Sequence, residues 1–359
     1  SITLLENRNG ILPLKKNIKV AVIGPNADNR YNQLGDYTAP QEEGNIRTVL
    51  DGIRAKIGKK NVFYAKGCAV RDSTDYDFKT AIKMARQADV VIAVVGGSSA
   101  RDFRTNYEAT GAASVGKSIS DMESGEGYDR ATLTLLGRQN ELLEVLKATG
   151  KPLVVAYIEG RPLDKTWGAA HADALLTAYY PGQEGGNAIT AVLFGDENPA
   201  GRLPITVPVS TAQLPVYYNK LRPAAHNYVD MTAKPLYAFG YGLSYTTFEY
   251  SHLNIVPAGN GDYEVSFNIT NSGSKDGEEV AQLYLSHEYS PVVMPEKQLK
   301  NFCRVMIKAG TTNTVKLTVS ADDLKIIGQT MQETTDAGTV NVLIGSSSDN
   351  IKLSGKIEK

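Results

Sequence analysis

Val90-Val91-Ile92-Ala93-Val94-Val95 is an unbroken apolar run closed by Gly96 and Gly97. A strand with one wet face alternates apolar and polar residues, so a run without alternation predicts a strand covered on both faces, as in a parallel sheet. The runs at residues 19–23, which stop at Gly24-Pro25, at Val62-Phe63-Tyr64, at Leu153 to Ile158 and at Ala174 to Ala178 read the same way. Between them the period changes. Val49, Ile53 and Ile57 recur at helical spacing up to Gly58, as do Phe78, Ala81, Ile82 and Ala85, then Leu142, Leu143 and Leu146 ahead of Gly150 and Pro152. The segment around Trp167 predicts a short helix, and Ala188, Ile189, Val192 and Leu193 a last one stopped by Gly195. Strands alternating with helices at this length imply parallel crossovers, hence an α/β fold with a mostly parallel sheet covered on both faces.

The pattern breaks at residue 206. From Thr206 to about Phe248 prolines, tyrosines and glycines replace both periods, which predicts a linker over residues 206–248. Beyond it Tyr263, Val265, Phe267 and Ile269 face one way, with Glu264, Ser266, Asn268 and Thr270 opposite. The theme returns at Val315, Leu317, Val319 and at Val340, Val342, Ile344. Half-buried strands separated by turns predict an all-β sandwich over residues 249–359, after an α/β domain over 1–205.

Composition narrows the chemistry. A chain of 359 residues with a formal net charge of -1 offers no electrostatic reason to expect nucleic acid as a partner. No apolar run approaches membrane-spanning length, and residues 1–6 lack the pattern of a signal peptide. Cys68 and Cys303 are expected to be buried thiols. The histidines at 171, 226, 252 and 287 have none of the short spacings of a metal site, so neither metal nor cofactor is expected.

Ligands of such sheets bind beyond the carboxyl ends of the strands, and the long connection from Gly96 to about Thr132 leaves from that end. Connections in α/β units usually take about 2–6 residues, so one this long predicts function. It carries four carboxylates, Asp121, Glu123, Glu126 and Asp129. Glu126 stands between Gly125 and Gly127, whose conformational freedom lets the loop carry that carboxylate away from the scaffold. The same connection holds Gly111-Ala-Ala-Ser-Val-Gly116-Lys117-Ser118, which fits a phosphate-binding pattern. That loop needs a strand directly before it and a helix directly after, and here it has neither, so nucleotide binding is not expected.

Several stretches together resemble glycoside hydrolase family 3, whose members include β-glucosidases and β-xylosidases. They are Leu4-Leu-Glu-Asn-Arg-Asn-Gly-Ile-Leu-Pro-Leu14, Gly125-Glu-Gly-Tyr-Asp-Arg130, Tyr180-Pro-Gly-Gln-Glu-Gly-Gly-Asn-Ala188 and Pro235-Leu-Tyr-Ala-Phe-Gly-Tyr-Gly-Leu-Ser-Tyr245, in the family's order. The resemblance implies a modular enzyme: a (β/α)8 barrel, then a three-layer α/β/α sandwich, then a fibronectin type III-like (immunoglobulin-like) domain. The barrel carries the nucleophilic aspartate, usually in Ser-Asp-Trp. The only tryptophan here is Trp167, and about 250 residues of barrel do not fit ahead of Leu4. The chain is therefore expected to be the C-terminal part of a retaining β-glycosidase, inactive without its barrel, acting on terminal β-glucosides or β-xylosides of oligosaccharides.

The family's acid/base glutamate lies on a loop of this domain, and Glu126 matches its position, with Glu123 as second choice. Tyr128 is expected to stack on sugar or to serve as a packing aromatic, and Arg130 to partner a loop carboxylate, both as substrate-binding supports whose other reading is simple loop anchoring. Family analogy implies a periplasmic or extracellular location. The rival reading is a non-catalytic carbohydrate-binding or scaffolding module of the same fold.

Overall fold

The apolar runs of the first half become a six-stranded sheet of order β1-β6-β5-β4-β2-β3. Its strands are β1 (Thr3–Asn7), β2 (Val20–Ile23), β3 (Val62–Ala65), β4 (Val90–Gly96), β5 (Leu153–Ile158) and β6 (Ala174–Thr177). The structure is a computed structural model that describes residues 2–39, 41–42, 44–100, 109, 121–127, 129–221, 228–335 and 337–359. It divides into two units, Ser1–Glu197 and Asn198–Lys359.

In the first unit every residue of β2, β4, β5 and β6 is buried, as runs without alternation require. Helices α1 (Val49–Ile57), α2 (Phe78–Arg86), α3 (Gln139–Lys147), α4 (Thr166–His171) and α5 (Gly185–Leu193) fill the connections. α1 starts at a capping box, in which Thr48 accepts from Asp51 N–H and the Asp51 carboxylate accepts from Thr48 N–H. It buries Val49, Leu50, Ile53 and Ile57 before ending at Gly58. In α2, Ala81 and Ala85 are buried while Phe78 and Ile82 are only half-buried, so that helix turns a narrower stripe inward.

The chain steps from β2 outward to β3, then returns past β2 to β4, β5 and β6. Crossovers between parallel strands are right-handed, so reversing direction moves the following helices to the other face. α1 accordingly packs with α5, and α2 with α3. The reversal leaves a switch point between β2 and β4, where a doubly wound sheet opens a crevice for ligand. The edge strand β1 runs antiparallel to β6, with Leu4 and Leu5 fully buried; periodicity did not signal it as a strand.

The second unit is antiparallel throughout its strand ladders. Strands β7 (Phe248–Gly259), β8 (Asp262–Asn271) and β11 (Thr312–Val319) form a three-stranded sheet of order β11-β8-β7. The other sheet has four strands, in the order β10-β9-β14-β15, made of β9 (Gly277–His287), β10 (Gln298–Ile307), β14 (Thr339–Ser347) and β15 (Asn350–Glu358). Ile326–Ile327 (β12) and Glu333–Thr334 (β13) make a small separate pair. Val265, Phe267 and Ile269 meet Leu283, Leu317, Val340, Val342 and Ile344 in one core, on the face that alternation assigned to them. Residues 206–248 fall within this unit. Cys68 is a buried free thiol, pushed up to about 12 chiefly by burial, whereas Cys303 is free and only half-buried, because its strand β10 is the edge of its sheet.

Candidate active site

The long connection begins on a buried polar chain at the switch point. Asn26 Nδ2 donates to Gly97 O at 3.1 Å, Asn32 Nδ2 to Asn26 Oδ1 at 2.6 Å, and Ser98 Oγ to Asn32 Oδ1 at 2.7 Å. Asn26, Asn32 and Ser98 are all buried, so each bond replaces water that cannot reach it. Sequence reasoning had singled out none of the three.

The connection returns to the described residues at Asp121, whose carboxylate accepts from Val70 N–H and Arg71 N–H, both at 2.9 Å. Arg71 donates in turn to Met122 O at 2.9 Å, and Glu123 N–H donates to Ser98 O at 2.8 Å. The two ends of the loop are thus laced together at its base.

Glu123 and Glu126 lie three residues apart and in opposite environments. Glu123 is 3 % exposed and its Oε2 is ion-paired with Arg130 Nη1. Burial pushes the Glu123 carboxyl above its usual range, while the guanidinium groups of Arg130 and then Arg161 pull it back. Burial lowers the Arg130 guanidinium, opposed by the same carboxylate. Arg130 also donates from Nε to Thr132 O at 2.6 Å and from Nη2 to Thr134 O, so its fork is occupied by its own loop. Glu126, by contrast, is exposed. Its N–H donates to Asp36 Oδ2 at 3.2 Å. Gly125 at φ 156° and Gly127 at φ 72° flank it, the second in the left-handed region that favours glycine.

Asp129, three residues beyond Glu126, has a partner from another element. Its Oδ1 lies 2.7 Å from Arg161 Nη1, on the connection between β5 and α4. The Arg130 N–H, followed by Arg161, holds the Asp129 carboxyl below its usual range. Tyr128 and the phosphate-loop-like stretch at Gly111 to Ser118 lie outside the described residues. Of the expected site residues, the fold therefore joins Arg130 to Glu123 and leaves Glu126 facing out; Asp36 and Arg161, far away in sequence, went unnoticed because only the crossovers bring them here.

Comparison with known proteins agrees with this architecture. Residues 2–245 match the glycosyl hydrolase family 3 C-terminal domain, and residues 279–348 a fibronectin type III-like domain. The chain is 37 % identical to a periplasmic beta-glucosidase of Salmonella typhimurium, over 98 % of this chain and 48 % of that protein. It is 36 % identical to a beta-xylosidase of Formosa agariphila, again over 98 % of this chain and 48 % of the other. The crystal structure of beta-glucosidase from Listeria innocua in complex with glucose superposes with a TM-score of 0.86 at 28 % identity, covering 100 % of this chain and 48 % of that one. The chain thus spans about half the length of the curated relatives it matches. With the family match running through the sheet, the carboxylate loop and on to residue 245, the chain belongs to glycosyl hydrolase family 3, as its C-terminal domain followed by a fibronectin type III-like domain.

Proposed function

We propose that the chain is the C-terminal part of a retaining β-glycosidase that removes terminal β-D-glucosyl or β-D-xylosyl residues from oligosaccharides, with Glu126 as its general acid/base. The observation that carries the assignment is the contrast between the two candidate carboxylates. Glu123 is sealed in an ion pair, whereas Glu126 is exposed between two glycines. Only an accessible carboxyl can meet a glycosidic oxygen.

Retention needs two carboxyl groups about 5–5.5 Å apart. The nucleophile, an aspartate of the (β/α)8 barrel that the family resemblance implies, attacks the anomeric carbon as protonated Glu126 gives its proton to the departing oxygen. Glu126, now a carboxylate, then takes a proton from the water that releases the sugar from the nucleophile. Glu123 serves instead as the counter-charge of Arg130 and so fixes the loop's base. The Salmonella relative is named periplasmic, which supports a periplasmic or secreted location. Among the described residues no helix is long and apolar enough to cross a membrane.

Glu126→Gln in the full-length enzyme tests the assignment. Turnover of a nitrophenyl glycoside should fall by about 10²–10⁴-fold, the usual worth of a general acid/base. With an activated substrate, azide should restore part of it by attacking the glycosyl-enzyme without needing a base. Unchanged turnover removes Glu126 from the mechanism.

A further inference from the structure

We propose that Arg161 is a positioning residue for the acid/base carboxylate: from a rigid post on the β5–α4 connection it holds Asp129 and so fixes the C-terminal side of the segment that carries Glu126. The inference rests on the assignment of Glu126 made above.

The post is built from buried charge. Glu159 and Lys165, at the two ends of the connection, are 1 % and 0 % exposed. Lys165 Nζ lies 2.6 Å from Glu159 Oε1 and donates to Leu163 O at 3.0 Å. Glu159 also accepts from Leu163 N–H at 3.1 Å and from Thr177 Oγ1, on β6, at 2.5 Å. Asp164 N–H donates to Leu133 O at 2.7 Å, between the two carbonyls that Arg130 grips at Thr132 and Thr134. The connection is therefore pinned to its own sheet at both ends and laced to residues 132–134.

Arg161 rises from the middle of this frame, and its side chain remains about a third exposed as it reaches Asp129 Oδ1 at 2.7 Å. Gly125 and Gly127 give the backbone on either side of Glu126 wide conformational latitude, so the hold of Asp36 on its N–H is joined by a second one at Asp129. The buried pair of Glu123, on the N-terminal side, and Arg130, next to Asp129 on the C-terminal side, ties the two ends of the segment to each other. On the C-terminal side the Asp129 carboxylate, 74 % exposed, would otherwise lie in solvent. An acid catalyst has to sit within about 0.5 Å of its productive place. A misplacement of about 1 Å can cost on the order of 10²-fold.

The test is kinetic and uses the full-length enzyme with two aryl glycosides, one with a good leaving group (2,4-dinitrophenol) and one with a poor one (4-methylphenol). The good leaving group departs without protonation; the poor one needs the acid. Arg161→Gln should lower kcat/KM for the poor leaving group by about 10-fold or more and for the good one far less. Asp129→Asn should do the same; it keeps the acceptor for Arg130 N–H, and at so exposed a position it leaves the fold intact. Arg161→Lys, which can still reach one oxygen, should recover most of the loss. Adding Arg161→Gln to Glu126→Gln should cost nothing more. Equal losses on both substrates, or no loss, in Arg161→Gln and Asp129→Asn overturn the positioning role, provided Glu126→Gln discriminates between the leaving groups. If Glu126→Gln itself does not discriminate, the acid/base assignment falls first and the positioning role falls with it.

Discussion

Gly97 and Glu123 are so close that no side chain fits between them: a Cβ built on Gly97 would stand 1.9 Å from Glu123 Oε1. The carboxylate cannot swing aside, because its other oxygen is held by buried Arg130. Gly97→Ala should therefore displace the buried pair, costing about 1–3 kcal/mol as overpacking does. It should also lower turnover, since Glu123 anchors the loop. Thermal unfolding alongside steady-state kinetics checks both, and an unperturbed midpoint would show that Glu123 has room to move.

Glu123 and Glu126 should separate stability from activity. Glu123→Gln leaves the Arg130 guanidinium buried without its counter-charge, which typically costs about 3–5 kcal/mol. Glu126→Gln changes an exposed side chain and should leave the unfolding midpoint where it is while turnover collapses. Differential scanning calorimetry of the two variants is the measurement. A stable Glu123→Gln protein would contradict the anchoring role.

Acid should loosen the first unit partly through Asp173. Burial alone would raise its carboxyl, but the Lys147 ammonium at 2.8 Å and the Leu153 N–H at 2.7 Å outweigh it and hold the group below its ordinary 3.8. A carboxyl depressed in the folded state lends stability that is present above its unfolded value and is lost as pH falls through its folded one. Asp173→Asn should therefore lower the unfolding midpoint at neutral pH and differ progressively less from the parent as the pH falls below 3.8. The pair is a third exposed, so the effect should stay below about 1 kcal/mol. Parallel pH profiles of the midpoint would refute this.

The chain of 359 residues on its own should release no nitrophenol from aryl β-glucosides or β-xylosides. Two carboxyl groups on opposite sides of the anomeric carbon are required, and only the acid/base is assigned to this chain. Adding the matching barrel, on the same polypeptide, should restore turnover. Clear hydrolysis by the purified chain would mean that it holds its own nucleophile.

The sequence alone determined the layers. The unbroken runs at Val90 and Leu153, short, rich in Val and Ile and bounded by Gly or Pro, read as strands covered on both faces, and the alternation at Tyr263 to Ile269 as a half-buried strand, because burial follows chain period. It also singled out Glu126, through the glycines on either side. Tertiary structure decided the rest. That β1 closes the sheet antiparallel and that Asp36 and Arg161 come to the carboxylate loop depend on where crossovers return the chain, while the inward turn of Glu123 onto Arg130, seven residues on, depends on how that loop closes on itself. No local period encodes that: a side chain's partner across 30 or 90 residues is set by which strands neighbour each other, and the choice between a buried and an exposed glutamate three residues apart is made by whether a guanidinium is waiting beneath it.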